Sequence, residues 1–384
     1  MGKSFSFVCP RCGNNDINLI GFIKDKPYCR ACISFNGNKA KPYKIYKVKT
    51  KAKLNYNLTP KQKEISSCVV SNFKNKINTL IHAVCGSGKT EISFGLISYC
   101  LSNGLQVGFA VPRKDVVIDL LPRFMDAYPN RKIIALYGAH TEEIEGDLII
   151  LTTHQLYRYE HYFDALILDE IDAFPFHNNK VLYNIFKNSL KGNYVMMSAT
   201  PSLEVINIFK KDGHDILKLY KRFHGKPLIV PKCFYNIKLI NLFRLYKFTK
   251  EYISKKKPLL IYVPTIELGE RIFSFLNLFF KKGKLVHSKC EYREKYIALF
   301  KERKFDFLVT TSILERGITI KNLQVIIYQA DHTLFTEGIL VQISGRVGRK
   351  YDAPNGDVIF IANKENLAIK NCIKSIKEIN AYED

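Results

Sequence analysis

Leu80-Ile81-His82-Ala83-Val84-Cys85-Gly86-Ser87-Gly88-Lys89-Thr90 is a short apolar run that ends in a glycine loop. A run of this length, stopped by glycines, reads as a buried strand. From Glu91 to Leu101 the period changes. Ile92, Leu96 and Tyr99 with Cys100 fall at helical spacing, and Gly104 stops the helix. A loop of this kind between strand and helix is where a phosphate is cradled. Gly86, Ser87 and Gly88 let backbone N–H groups wrap phosphate oxygens, and the helix N-terminus adds a favourable dipole. Lys89 is then placed for the β- and γ-phosphates of ATP, and Thr90 for Mg²⁺. The thiol of Cys85 is read as packing.

Working outward, strand and helix patterns alternate. Val107 to Val111, Lys132 to Tyr137, Asp147 to Thr152, Ala165 to Asp169 and Tyr194 to Ser198 read as further strands of one parallel sheet. Arg222-Phe223-His224-Gly225-Lys226-Pro227 is rich in turn formers and charge, and reads as a linker. The alternation then restarts at Leu259 to Val263, Lys284 to His287, Phe307 to Thr311, Val325 to Tyr328 and Val358 to Ile361. The expected class is α/β, with domains at 54–221 and 222–384 in tandem.

Ahead of them, residues 1–37 carry Cys9-Pro10-Arg11-Cys12 and Cys29-Arg30-Ala31-Cys32, sixteen residues apart. Two such pairs fit a zinc ribbon in which Cys9, Cys12, Cys29 and Cys32 hold one structural Zn²⁺. Four thiolates leave no position for a reacting water. Residues 38–53 form a basic connecting segment with Lys at 39, 41, 44, 47, 49, 51 and 53. From Lys47 the lysines alternate, which in a strand sets them on one face. Tyr43 and Tyr46 lie among them. Two readings stand: a stripe that tracks phosphates, with tyrosine for base stacking, or a solvated edge protected from aggregation.

The chain has 384 residues, 47% of them hydrophobic, and a formal net charge of +24. That length supports two cores and an appendage, and the charge favours a polyanionic partner. An AT-rich genome would also raise lysine, so the charge decides nothing alone. No apolar run reaches the roughly 18 residues of a membrane span. Ten cysteines without a secretory leader point to a reducing, cytoplasmic setting.

Two further stretches carry chemistry. Leu166-Ile167-Leu168-Asp169-Glu170 delivers two carboxylates at the C-terminal end of a strand, where open α/β sheets bind ligands. Asp169 suits Mg²⁺, and Glu170 suits polarising an attacking water. Gln342-Ile343-Ser344-Gly345-Arg346-Val347-Gly348-Arg349 offers two arginines three apart, expected on one face at the start of a helix. Arginine stays charged and meets phosphate oxygens bidentately, so Arg346 and Arg349 are candidate fingers on ATP.

With these motifs in this order, the chain resembles the superfamily 2 helicases. Asn57-Leu58-Thr59-Pro60-Lys61-Gln62 resembles that family's adenine-reading segment, with Gln62 at the glutamine. Ser198-Ala199-Thr200 resembles its coupling motif, which implies that Ser198 and Thr200 link ATP to nucleic acid. Thr311 to Thr319, containing Glu315-Arg316-Gly317, resembles its fifth motif and brings Gly317 to the nucleotide. A finer resemblance is to the ComFA family of bacterial DNA-uptake ATPases. Val111-Pro112-Arg113-Lys114-Asp115-Val116-Val117, Thr152-Thr153-His154-Gln155-Leu156, the Arg222 to Pro227 linker and Asp169-Glu170-Ile171-Asp172-Ala173-Phe174-Pro175-Phe176 carry it.

The resemblance implies two tandem RecA-like domains behind the ribbon, and an ATP hydrolase of helicase or translocase type using ATP and Mg²⁺. It implies stimulation by single-stranded DNA and the drawing of transforming single-stranded DNA into the cytosol. The implied place is the cytoplasm, peripheral to the inner face of the cell membrane, beside other competence proteins. By likeness to related motors, Arg113, Thr153, His154 and Thr311 are candidates for the DNA track. For His154 a hydrogen-bonded structural role is the alternative. Rival readings of the whole are an RNA helicase, a replication-restart helicase, or an ATP-gated DNA adaptor that does not translocate. The acidic box reads Asp-Glu-Ile-Asp and the last motif opens on Gln342, against the first rival.

Overall fold

The computed structural model describes residues 7–172, 179–311 and 320–382. The chain divides into two compact units, Met1–Ala83 with Gly88–Leu219, and Val84–Ser87 with Tyr220–Asp384.

The first unit opens on a small hairpin, β1 (Ile20–Ile23) antiparallel to β2 (Lys26–Cys29). Lys24 and Asp25 between them both have positive φ, as a two-residue type I′ turn requires. Next come α1 (Pro60–Lys74), β3 (Thr79–Ala83), α2 (Lys89–Ser102), β4 (Val107–Val111) and α3 (Lys114–Ala127). There follow β5 (Ile133–Leu136), β6 (Leu148–Thr152), β7 (Phe163–Asp169), α4 (Lys180–Ser189), β8 (Leu190–Ser198), α5 (Leu203–Lys211) and β9 (Asp215–Leu219). Strands β3 to β9 form one sheet in the order β5-β6-β4-β7-β8-β3-β9, with every pair parallel.

Strand side chains alternate between two cores. On β6, Leu148 and Ile150 face the core of α1, α2 and α3, which holds Ile65, Leu96 and Phe124. Ile149 and Leu151 face the other core, with Leu182 and Phe186 of α4 and all four ribbon cysteines. Burial on both faces is why these strands read as unbroken apolar runs.

The second unit repeats the plan. It comprises β10 (Lys232–Tyr235), α6 (Lys238–Ser254), β11 (Leu259–Tyr262), α7 (Ile266–Phe279), β12 (Gly283–Val286) and α8 (Arg293–Lys301). It continues with β13 (Phe307–Thr310), β14 (Gln324–Tyr328), α9 (Glu337–Ser344), β15 (Val358–Ala362) and α10 (Leu367–Ala381). The sheet order is β10-β15-β14-β11-β13-β12, again parallel throughout. Two parallel sheets, each covered by helices on both faces, are the expected tandem RecA-like architecture. Among the described residues no helix is long and apolar enough to cross a membrane.

Three local expectations differ from the structure. The edge strands β9 and β10 lie outside the strands expected, because each is short and only partly buried, so neither shows a continuous apolar run. Residues 38–54 are extended but belong to no sheet. Scattered bonds hold their backbone instead, most of them to side chains: Ser102 Oγ accepts from Thr50 N at 2.9 Å and Ser98 Oγ from Ala52 N at 3.1 Å. Arg346 and Arg349 follow the end of a helix rather than starting one. Helix α9 stops at Ser344, and Gly348, at φ +70°, turns the chain where a helix would have to continue.

Candidate functional site

The loop from Val84 to Gly88 joins β3 to α2, and its residues Val84–Ser87 group with the second unit. Gly88 caps α2 at φ 86° and ψ 40°, a left-handed conformation natural to glycine. A Cβ built there would lie 2.3 Å from Gln62 Nε2. Lys89 opens the helix, and its Nζ is 3.7 Å from Asp169 Oδ1 at the end of β7. Both are mostly buried, and Thr90 beside them is buried as well. Burial pushes the Asp169 carboxyl up, and the Lys89 ammonium opposes that shift. A cation arriving here would meet a hydroxyl and a carboxylate, the hard oxygen donors that Mg²⁺ takes alongside phosphates. Glu170 has φ 58°, rare outside glycine, and its N–H donates to Asp169 Oδ1 at 2.8 Å. Strained backbone of this kind concentrates at functional sites.

Gln62 sits in a capping box at the start of α1. Its Oε1 accepts from Thr59 N at 2.9 Å while Thr59 Oγ1 accepts from Gln62 N at 3.2 Å. With that oxygen engaged, the amide nitrogen is the end turned to Gly88.

Ser198, the last residue of β8, and Thr200 just after it converge on one carboxylate. Ser198 Oγ donates to Asp172 Oδ1 at 2.8 Å and Thr200 Oγ1 to Oδ2 at 2.9 Å. Asp172 had no assigned part in the reading of the motif, because its partners lie 26 and 28 residues away. His82 of β3 carries no motif signal either. Its imidazole is held down to about 4, chiefly by burial, and Lys218 and Lys89 add to that effect.

The four ribbon sulfurs lie within 4.8 Å of one another, and all four residues are buried. Cys9 and Cys32 are 3.6 Å apart and Cys12 and Cys29 3.7 Å. Those separations are far beyond a disulfide and close to the ~3.8 Å edge of a tetrahedron with metal–sulfur bonds of about 2.3 Å. Burial pushes the Cys12 thiol up to about 11 and raises Cys32 too. At Cys9 burial also raises the value, but backbone N–H groups of Cys12 and Arg11 outweigh it and the net shift is downward. The donor set fits Zn²⁺. The ribbon is fastened to α4, where Asn184 Nδ2 donates to Cys12 O at 2.6 Å.

In the second unit, the turn 345–349 carries Arg346, which is 2% exposed, and Arg349, whose Nε donates to Gly345 O at 3.0 Å. A buried guanidinium from the linker motif grips the same turn. Arg222 Nη1 donates to Val347 O and Gly348 O, both at 2.9 Å, and Nη2 to Gly345 O at 3.2 Å. Burial first, and Arg349 second, lower Arg222 to about 10, so it stays charged at neutral pH. His224 Nδ1 accepts from Lys226 N at 3.1 Å, which leaves the proton on Nε2 to donate to Gly348 O at 2.9 Å.

The nucleic-acid candidates are dispersed. Arg113 follows β4, and Thr153 and His154 follow β6, at the C-terminal edge of the first sheet. Thr153 is fully buried. The His154 ring lies 6.0 Å from that of Phe35, and burial lowers its pKa. Thr311 follows β13 in the second unit. Gly317, with Glu315 and Arg316, lies outside the described residues, as does Ala173 to Phe176 of the acidic motif.

Two family models match the chain: Type III restriction enzyme, res subunit, over residues 55–203, and Helicase conserved C-terminal domain over 240–351. Competence protein ComFA of Streptococcus pneumoniae is 33% identical over 396 residues, covering 99% of this chain and 91% of the relative. Competence protein ComFA of Bacillus subtilis is 32% identical, with 97% and 86% covered. Among solved structures, S. cerevisiae Dbp5 bound to RNA and ADP BeF3 superposes with a TM-score of 0.61 at 15% identity, over 85% of this chain and 92% of that one. The last of these speaks for the fold alone. The chain belongs to the ComFA family of competence proteins, ATP-hydrolysing enzymes of the superfamily 2 helicase type.

Proposed function

We propose that this enzyme is a single-stranded-DNA-stimulated ATPase and translocase that helps draw transforming DNA into the cytosol. It would work at the inner face of the membrane beside other competence proteins. The observation that carries this reading is the buried ion pair of Lys89 with Asp169 at the C-terminal edge of a parallel sheet, in a chain of the competence family.

In this reading residues 1–37 are the ribbon, 38–53 a connecting segment, 54–221 the ATP-binding domain and 222–384 the helicase C-terminal domain. N–H groups of Gly86, Ser87 and Gly88 cradle the phosphates, and the Lys89 ammonium neutralises the β- and γ-oxygens. Thr90 and Asp169 would hold Mg²⁺, which would supply further charge neutralisation to the same phosphates. Glu170 orients the attacking water and accepts its proton. Gln62 meets the adenine through its amide, and Gly317 joins the nucleotide site. Arg346 and Arg349 stabilise charge developing on the transferred group, a contribution of about 10³–10⁵ in related motors. Ser198 and Thr200, tied to Asp172, couple the carboxylate cluster to the DNA-facing edge. Arg113, His154 and Thr311 line the track by contacts to the DNA backbone that do not read sequence, and Thr153, fully buried, supports them from beneath.

The test is steady-state ATP hydrolysis by zinc-loaded protein, alone and with single-stranded DNA, duplex DNA or RNA at fixed salt. Selective stimulation by single-stranded DNA, with directional displacement of a bound block, is the expected outcome. Stimulation by RNA, or equal turnover in every condition, would overturn the reading.

A further inference from the structure

The connecting segment is a strap with a fixed outer face. From Lys26 to Lys63 the chain has eleven Lys and Arg and no Asp or Glu. Within it, residues 40–54 run extended over the end of the first sheet opposite the phosphate loop. The strap is pinned to Ser98 and Ser102 in the last turns of α2, whose 14 residues span about 20 Å from Lys89. Lys53 N donates to Ala127 O at 2.9 Å, at the end of α3.

Arg131, just before β5, holds the strap from beneath. It donates to Tyr46 O at 3.1 Å, Val48 O at 2.8 Å and Thr50 Oγ1 at 3.1 Å. Ala52 and Leu54 pack against the core of the first unit. Alternation therefore turns Lys49, Lys51 and Lys53 outward. Lys47 lays its stem along Gly104 beside the exposed Val48, and all four lysines are exposed. None of them has an ion-pair partner among the described residues. Tyr46, 69% exposed, stands beside the row with Lys44 Nζ 5.7 Å from its ring.

We infer that this strap is a second, sequence-independent binding track for single-stranded DNA, at the edge of the first unit remote from the nucleotide. Alternate residues of an extended chain are about 6.6 Å apart, close to the spacing of phosphates along a stretched single strand. The row is single and linear, whereas a duplex offers two backbones and a bilayer offers charge in two dimensions. An exposed tyrosine supplies a stacking platform that only an unpaired base uses well. Pinning by Ser98, Ser102 and Arg131 fixes the row in advance, so little ordering is lost on binding. The inference shares with the proposed function the choice of single-stranded DNA, but it concerns a surface that function does not use.

The test is binding of a fluorescent oligo(dT) by the full chain across a salt series. The parent is compared with Lys47→Gln/Lys49→Gln/Lys51→Gln/Lys53→Gln and with Tyr46→Ala. Loss of four contacts to a single strand should lower the slope of log K against log salt by about 3. Tyr46→Ala should weaken binding several-fold while leaving that slope unchanged. Hydrolysis without DNA should match the parent in both variants, since the strap is remote from the loop. An unchanged slope in the quadruple variant, with the parent binding oligo(dT) normally, overturns the strap. A parent that binds no oligo(dT) overturns the proposed function as well. Parent binding to vesicles of phosphatidylglycerol and phosphatidylcholine that the quadruple variant loses, with oligo(dT) binding intact, replaces DNA by a lipid surface and also overturns the inference.

Discussion

Replacing Arg222 with Met removes three donors from the turn 345–348 while keeping a long side chain in the same buried space. A hydrogen bond contributes about 1 kcal/mol net, and more when the donor is charged. Relief of the buried guanidinium's desolvation offsets part of the loss, so a local destabilisation of about 2–3 kcal/mol is expected. If the turn presents Arg346 and Arg349 to ATP, that loss appears as a fall in kcat of roughly 30- to 150-fold, at about 1.4 kcal/mol per factor of ten. KM for ATP is measured alongside, because Arg222 adjoins the phosphate loop, where Gly86 O accepts from Phe223 N at 3.5 Å. The assay is hydrolysis at saturating ATP and single-stranded DNA, with thermal unfolding as a control on the fold. Arg222→Lys keeps the charge but not the planar fork, and should recover only part of kcat. A kcat within threefold of the parent, in an Arg222→Met protein of unchanged thermal midpoint, would refute the positioning role.

Other consequences are open to direct measurement. Lys89→Ala should abolish ATP hydrolysis and leave oligonucleotide binding within about twofold, and retained turnover would remove the phosphate-loop assignment. Gly88→Ala forces a left-handed alanine whose Cβ meets Gln62 Nε2. Nucleotide affinity should drop at least tenfold by titration with a fluorescent ATP analogue, while the thermal midpoint shifts by only a few degrees. Stripping the cysteine cluster with a chelator, or Cys12→Ser, should lower the first unfolding transition, and re-addition of Zn²⁺ should restore it only in the parent.

The His82 imidazole titrates near 4 when folded and near 6.5 when unfolded, so the unfolded chain binds the extra proton between those values. Its contribution is therefore complete above pH 6.5 and lost as pH falls toward 4, by about 2–3 kcal/mol. Facing it are Lys89 of α2, Lys218 of β9 and Asp172. His82→Gln should flatten that part of the stability profile in urea titrations, and an unchanged slope would count against the assignment.

What was legible in the sequence was local. The phosphate loop, the Asp169-Glu170 pair and the two cysteine pairs are short motifs whose chemistry needs their own spacing, and central strands announce themselves by burial on both faces. What escaped was set by distance along the chain. Arg222 meets its carbonyls more than 120 residues away, and no local pattern marks a buried arginine in a stretch of turn formers. Asp172 was visible as a letter of its motif, but its role depended on β7 and β8 lying side by side. The lysine alternation was compatible with an edge strand. Backbone partners from Ser98, Ser102 and Arg131 made it a strap instead, with the same outward row. Spacing of three placed Arg346 and Arg349 on a helix face, and the glycines at 345 and 348 decided otherwise.

The order of strands in the first sheet has a consequence for biosynthesis. Strand β3, which feeds the phosphate loop, lies between β8 and β9, the last two strands of that sheet to be made. Its residues Thr79–Ala83 leave the ribosome long before Leu219 does. At bacterial elongation rates the gap is roughly 10 to 30 s, during which β3 is an apolar segment with unpaired edges. The sheet around β3 is thus the last part of the first unit to be closed, although β3 is the first of its strands to be translated. A nascent chain halted before β8 should engage chaperones through β3, whereas one released after β9 should not.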